Sequence, residues 1–224
     1  MNLSLRARPA NTQGSGDSNG RRSARPFAGL GRGHAPEMRL RMVALLALGV
    51  ALPALAQQKL PLDPARSQFG FEIRTRFGQK ITGVFHHFEG DVLVLPDGRH
   101  QVQLRLFTDQ IEIPGRPRYT AWMRGEDFFD VEHYPVVQFD SLPYAPSALK
   151  RGGEIIGSLS LRGVAHLEAL TLLPAQCPRP GYDCDVISRG TIQRGRYGMD
   201  KWEVALGDRV TFVMRARLLE TAQP

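Results

Sequence analysis

The feature that most constrains this chain is a series of short runs in which apolar and polar residues alternate, each closed by glycine or proline. Gln101-Val102-Gln103-Leu104-Arg105-Leu106 alternates without a break, and Phe69, Phe71 and Ile73 alternate with Gly70, Glu72 and Arg74. A period of two places each apolar set on one face of a half-buried strand. Turn signals such as Gly78-Gln79-Lys80 and Pro96-Asp97-Gly98 follow within a few residues, which leaves no room for crossover helices between parallel strands.

Further strands are expected over residues 81–87, 88–94, 136–141, 155–161, 166–172, 186–194 and 209–219. The last alternates Phe212, Met214, Ala216 and Leu218 against Thr211, Val213, Arg215 and Arg217. Residues 111–118 read as a Pro/Gly loop and residues 120–130 as a short helical turn carrying Trp122, Met123, Phe128 and Phe129. Pro135 then bars the helix from continuing, and Val136 onward has β-branched and aromatic strand character. The expected fold is therefore all-β: about eight antiparallel strands with one short helix before the central Tyr134-Pro135 segment. Such strands make an antiparallel sandwich or a closed barrel, and closure is the more economical, because it removes edge strands and leaves an interior just wide enough for side chains or one small ligand. Phe69, Phe71, Ile73, Val102, Leu104, Leu106, Leu159, Leu161, Phe212 and Met214 would face inward, and an apolar interior suits a lipid chain better than a charged metabolite.

Composition changes sharply along the chain. Residues 1–37 are rich in Gly, Ser, Arg and Pro and cannot bury a core. Arg39 and Arg41, the apolar residues 42–52 and Ala54-Leu55-Ala56 then form a charged, apolar and small-residue series: a signal peptide over residues 38–56, cut after Ala56. Its apolar run is too short for a membrane span, which needs about 20 residues. Two readings stand for residues 1–37, a long disordered leader or an upstream segment preceding a true start at Met38; the shortness of signal n-regions favours the second. The expected location is the periplasm, with residues 57–224 as one domain.

Of 29 basic residues, eight lie before residue 57, leaving 21; of 22 acidic residues two lie there, leaving 20. The domain's net charge is thus +1 against +7 for the whole chain, so a nucleic-acid partner is not implied. Cys177 and Cys184 flank PRPGYD, and in an exported protein such a pair is expected to form a disulfide.

The order of several motifs carries more. Leu62-Asp63-Pro64-Ala65-Arg66-Ser67 with Phe69-Gly70-Phe71, Thr82-Gly83-Val84-Phe85 with Phe88-Glu89-Gly90, and Asp127-Phe128-Phe129-Asp130-Val131-Glu132 with Tyr134-Pro135 are followed by Gly157-Ser158-Leu159-Ser160-Leu161-Arg162-Gly163-Val164, Arg194 with Tyr197-Gly198-Met199, and Gly207-Asp208-Arg209-Val210. In this order they resemble the YceI-like, polyisoprenoid-binding family across residues 60–219. The resemblance implies an exported, lipocalin-like, eight-stranded barrel that binds long isoprenoid or quinone-like lipids. Two segments depart from the pattern: residues 114–123 lack the usual His and acid, and Ala165-His166-Leu167 lacks the usual Pro.

On this reading the lipid would contact Phe69, Phe71, Ile73, Leu104, Leu106, Trp122, Met123, Phe128, Phe129, Leu159, Leu161, Phe212 and Met214, with Phe128 and Phe129 closing one end. Arg116 and Arg118 are candidates for pairing with a diphosphate head group at a barrel mouth, since guanidinium matches phosphate geometry; two solvated loop arginines are the alternative. No cofactor beyond a bound isoprenoid lipid and no metal site is expected: His86 and His87 are adjacent on a strand and point to opposite faces. Asp127, Asp130 and Glu132 read as capping and turn residues, and His133 as an exposed turn residue. The chain shows no G-x-S-x-G, phosphate loop or catalytic Cys, so a binder doing no chemistry leads over an accessory or enzyme acting on a quinone-like lipid. Oligomeric state stays open, a dimer included.

Overall fold

The computed structural model describes residues 57–220; residues 1–37, the signal peptide over 38–56 and its cleavage point lie outside them. Eleven strands form one sheet: β1 Gln58–Pro61, β2 Gln68–Thr75, β3 Lys80–Phe85, β4 Phe88–Val94, β5 His100–Phe107, β6 Ile111–Glu112, β7 Val136–Ser141, β8 Gly153–Leu161, β9 Val164–Leu172, β10 Val186–Gln193 and β11 Leu206–Ala216. Their spatial order is β1-β4-β5-β7-β8-β9-β10-β11-β2-β3-β6, and all these pairings are antiparallel. Eleven strands replace the expected eight or so. The additions are chiefly β1 and β6, four and two residues long, too short to show a period of two in the sequence.

The sheet curls back on itself. The Leu62 amide donates to the Gly90 carbonyl, the Asp63 amide to Arg217 and the Leu219 amide to Pro61, at 2.8–2.9 Å. The chain leaving β1 thereby ties β4 to the end of β11. On the other side, a single 3-10 turn (Thr108–Gln110) lets the strand that pairs with β4 and β7 as β5 continue as β6 against β3.

Alternation in the sequence becomes inside and outside in the curl. Phe69, Phe71 and Ile73 of β2 are buried while Gln68 and Arg74 are exposed. Leu104 and Leu106 of β5, Leu159 and Leu161 of β8, and Phe212 and Met214 of β11 join them in one core. Full burial of each such side chain is worth roughly 1.5–3 kcal/mol. Tight β turns fix the register: Arg162 and Gly163, with φ of 51° and 73°, make the two-residue turn between β8 and β9 that sets Leu161 opposite Val164. The Arg162 guanidinium holds this strained position by donating to the Phe128 carbonyl at 2.8 Å and lying over the Tyr134 ring.

The helix differs from its expected bounds. Helix α1 spans Pro117–Arg124, with Pro at its first turn, where the missing N–H costs nothing. It starts inside the segment read as a loop, where β6 also lies, and it ends at Gly125, well before Pro135. Residues 125–134 are successive turns: the Phe128 and Phe129 amides donate to the Gly125 and Met123 carbonyls at 3.1 and 3.0 Å, and Asp130 has a φ of 49°. A second, four-residue helix, α2 (Ala148–Arg151), packs beside β8.

Candidate functional site

The interior is not uniformly filled. Near the start of β5 and the ends of β9 and β11 lies a cavity of about 150 Å³, walled by aliphatic and aromatic side chains including Leu62, Phe69, Val102, Leu104, Phe139 and Met214. It shares His100, Leu149, Pro180 and Tyr182 with a hollow of about 360 Å³ that also reaches Ser147, Lys150 and Arg179. That hollow is the mouth. Inward, two voids of about 20 Å³ each continue the series. The first shares Leu104, Phe139, Leu170 and Met214 with the cavity, and the second shares Ile192 and Phe212 with the first.

Apart from Trp122, the expected lipid contacts are therefore divided among three places. Phe69, Leu104 and Met214 line the cavity. Leu106, Leu159 and Phe212 line the next void, with Leu104 and Met214. Phe71, Ile73, Met123, Phe128, Phe129 and Leu161 surround the innermost void with Phe212, far along the series from the mouth. At that end Phe129 packs on Phe71 and Phe85, with ring centroids 5.4 and 5.9 Å apart. Phe128 and Phe129 are buried here as a filled plug rather than as walls of the main cavity.

Trp122 does not belong to the interior. It is 54% exposed, stacked between Tyr119 at 5.3 Å and Trp202 at 6.0 Å on an outer groove. On a helix, adjacent residues point about 100° apart, so Met123 faces in and Trp122 faces out. Arg116 and Arg118 are likewise not at the mouth: they start α1, beside the plugged end, where Arg116 lies over the Tyr119 ring at 5.3 Å. Neither lines the cavity or its hollow.

The disulfide expected from the sequence is formed. Cys177 and Cys184 are bonded, with Cα atoms 6.1 Å apart. His86 meets Glu112 at 2.7 Å while His87 stacks on Phe107. His133 is exposed and bonded to Asp130 at 2.8 Å, and Asp127 accepts from the Trp202 indole at 3.0 Å.

Sequence reasoning passed over most of the mouth. Tyr144 lies in the loop after β7, Leu149 in α2, and Pro180, Gly181 and Tyr182 in the disulfide loop. The Leu218 amide donates to Gly181 at 2.9 Å, and Arg217 bonds Asp185 at 2.5 Å and the Tyr182 carbonyl at 2.6 Å. The staple thus holds one wall of the cavity. The only signal for this was the position of the cysteines just before β10.

Elsewhere a buried cation marks the plugged end. Arg194 is 1% exposed and donates to the carbonyls of Gly207, Met199 and Lys201. Burial lowers its pKa. It organises the turns around Met199 and faces the innermost void, away from the mouth.

A protein-family model for the YceI-like domain matches residues 61–218. The chain belongs to the YceI-like domain family. Among solved structures, this YceI-like chain is similar to Burkholderia cenocepacia BcnA, with 21% identity and a TM-score of 0.57 over 69% of this chain and 98% of that one. It is also similar to a polyisoprenoid binding domain from Saccharophagus degradans implicated in plant cell wall breakdown, with 15% identity and a TM-score of 0.52 over 71% of this chain and 98% of that one. At these identities the likeness is one of fold. No curated protein matches the chain.

Proposed function

We propose that this YceI-like protein is an exported lipid-binding protein that holds a polyisoprenoid or similar long apolar chain inside its curled, barrel-like sheet and performs no chemistry on it. One observation carries the reading: an interior cavity of about 150 Å³ with apolar walls, followed by two smaller voids in line. A dry apolar cavity of about this size is large enough for a benzene-sized group, so the chain's first units fit the cavity as it stands. A longer chain extends inward by rotation of the unbranched, flexible Met214 side chain, which lines both the cavity and the next void. Apolar burial at about 25 cal/mol per Å² supplies the affinity.

Family membership supports this reading, and so does the description of the Saccharophagus domain as polyisoprenoid binding. Export to the periplasm rests on the signal-peptide pattern of residues 38–56, with the disulfide in keeping with an oxidising compartment. The test is native mass spectrometry of protein purified from its own envelope, with organic extraction of the same sample. A co-purifying prenyl lipid supports the reading. Protein that carries no lipid and takes up no octaprenyl compound overturns it, and N-terminal sequencing checks cleavage after Ala56.

A further inference from the structure

The cavity wall contains no charged side chain; its polar members are His100, Tyr144, Tyr182 and Ser188. Two of these form a unit. His100 and Tyr144 exchange backbone hydrogen bonds, each amide donating to the other's carbonyl at 2.8 Å. Their rings stand edge to face, centroids 6.0 Å apart and planes at 82°. This pairing bolts the loop after β7 onto the first residue of β5 and aims both polar side chains at the mouth end of an apolar chamber.

His100 Nδ1 is buried and has no hydrogen-bond partner among the described residues. A buried polar atom left unpaired costs about 1–3 kcal/mol, and a ligand atom that pairs with it recovers that cost. Burial lowers the pKa of the imidazole and pushes the Tyr144 hydroxyl up to about 12. Both groups are neutral at neutral pH: a phenol that donates, and an imidazole that donates or accepts according to its tautomer.

The same wall disfavours an anion. Arg179, at the hollow's rim, is already bonded to Asp183 at 2.7 Å and reaches Glu220 at 3.8 Å. Lys150 lines the outer hollow and not the cavity. A phosphate drawn into the cavity would give up its hydration with no cation to replace it, whereas an uncharged oxygen loses little.

We propose that His100 and Tyr144 form the polar-head subsite of the cavity, taking an uncharged oxygen (a ketone or amide carbonyl, or a hydroxyl) at the end of the apolar chain. The proposal rests on the lipid-binding reading above and adds the chemistry of the head and the direction of the chain: oxygen at the mouth, tail toward Phe128 and Phe129.

The experiment is calorimetric titration of the purified protein with three probes sharing a ten-carbon tail: decylbenzoquinone, decylbenzene and decyl phosphate. One recovered hydrogen bond gives the quinone an affinity about tenfold above decylbenzene, with decyl phosphate the weakest. His100→Phe and Tyr144→Phe each bring the quinone-to-decylbenzene ratio close to one while decylbenzene affinity stays within about twofold. His100→Gln, which keeps a donor and an acceptor, restores most of the preference and guards against a variant that has merely lost its fold. A ratio unchanged in both Phe variants overturns the subsite, as does tightest binding of decyl phosphate. If none of the three probes binds, the lipid-binding reading itself fails, a result distinct from loss of head selectivity alone.

Discussion

Substituting Gly157→Ala probes the wall between cavity and inner void. Gly157 is buried in β8, and a methyl group there would lie 2.5 and 2.7 Å from two Phe139 ring carbons and 2.6 Å from the Asp140 carbonyl oxygen. Ordinary carbon contacts are about 3.5–4.0 Å, so the overlap approaches 1 Å at three atoms. The ring has one escape, toward the cavity and void that it lines. The carbonyl has none, because Asp140 sits opposite Ser158 in the β7–β8 ladder and moving it opens that ladder. Overpacking of this kind costs about 1–3 kcal/mol. For a domain of this size each kcal/mol lowers Tm by about 2–4 °C, so Gly157→Ala should melt roughly 2–12 °C below wild type. Thermal and urea unfolding measure this, with Phe139→Leu added to close a double-mutant cycle. Because the smaller side chain vacates the space the methyl group needs, Phe139→Leu should cost less in the Gly157→Ala background than alone, by about 0.5 kcal/mol or more. An unchanged Tm, or a coupling of zero, would refute the close approach of ring and backbone at this position.

Other perturbations separate the two ends of the interior. Phe129→Ala removes a ring packed against Phe71 and Phe85 and should cost about 3–5 kcal/mol, yet leave affinity for a short probe in the mouth cavity unchanged; calorimetry on the folded variant checks both. Replacing Cys177 and Cys184 by Ser releases a loop of sequence separation 7, which chain entropy values at about 2.4 kcal/mol, and should weaken probe binding because Pro180 and Gly181 lose their anchor; Tm and affinity with and without reductant read this out. Asp63 is held below the usual carboxylate range chiefly by its bond to the Arg66 side chain at 2.6 Å, then by the Ala65 and Arg66 amides. Its contribution is full above pH 3.8 and lost as pH falls through the lowered folded value, so Asp63→Asn should flatten the acid limb of a Tm-versus-pH curve. His100 acts at higher pH: burial lowers its folded pKa below 6.5, the unfolded chain binds more protons, and stability falls as pH drops below 6.5 toward the folded value. His100→Phe should remove that part of the curve.

The fold was readable because burial on one face writes itself into every second residue. β2, β5, β8 and β11 each carry the apolar set at the positions the structure buries. What escaped lacked that period. β6 is held by two cross-strand pairs with β3, Val84 with Glu112 and Phe85 with Ile111, and two residues cannot show an alternation. The helix was misplaced because Trp122, Met123, Phe128 and Phe129 look like one apolar stripe in the sequence. In the structure the helix ends at Gly125, so Phe128 and Phe129 lie on the turns that follow it, and Trp122 stacks outside. Arg116 and Arg118 match a diphosphate by guanidinium geometry, but that match carries no information about which end of a barrel their loop occupies.

Leu62 and Phe69 of the first motif line the cavity, but most of the other residues that make the chain recognisable sit at the opposite end. The Arg162 side chain reaches Phe128, Trp202 bonds Asp127, and Arg194 gathers the turns near Met199 and Gly207. All of these belong to the motif segments or their immediate neighbours, and together they build the plug. The mouth is built instead by the Tyr144 loop, α2 and the disulfide loop, none of which carries a motif. A plug must satisfy many buried polar groups at once, which demands particular residues at particular positions. An apolar wall asks only for hydrophobic side chains of about the right volume. The later motifs therefore report the closed end, and ligand choice has to be sought where the sequence is least distinctive. Exchanging residues 144–149 and 177–184 with those of another YceI-like protein should move head-group preference without lowering Tm by more than the disulfide and loop contacts account for, whereas exchange of residues 127–132 should lower Tm and leave preference where it was.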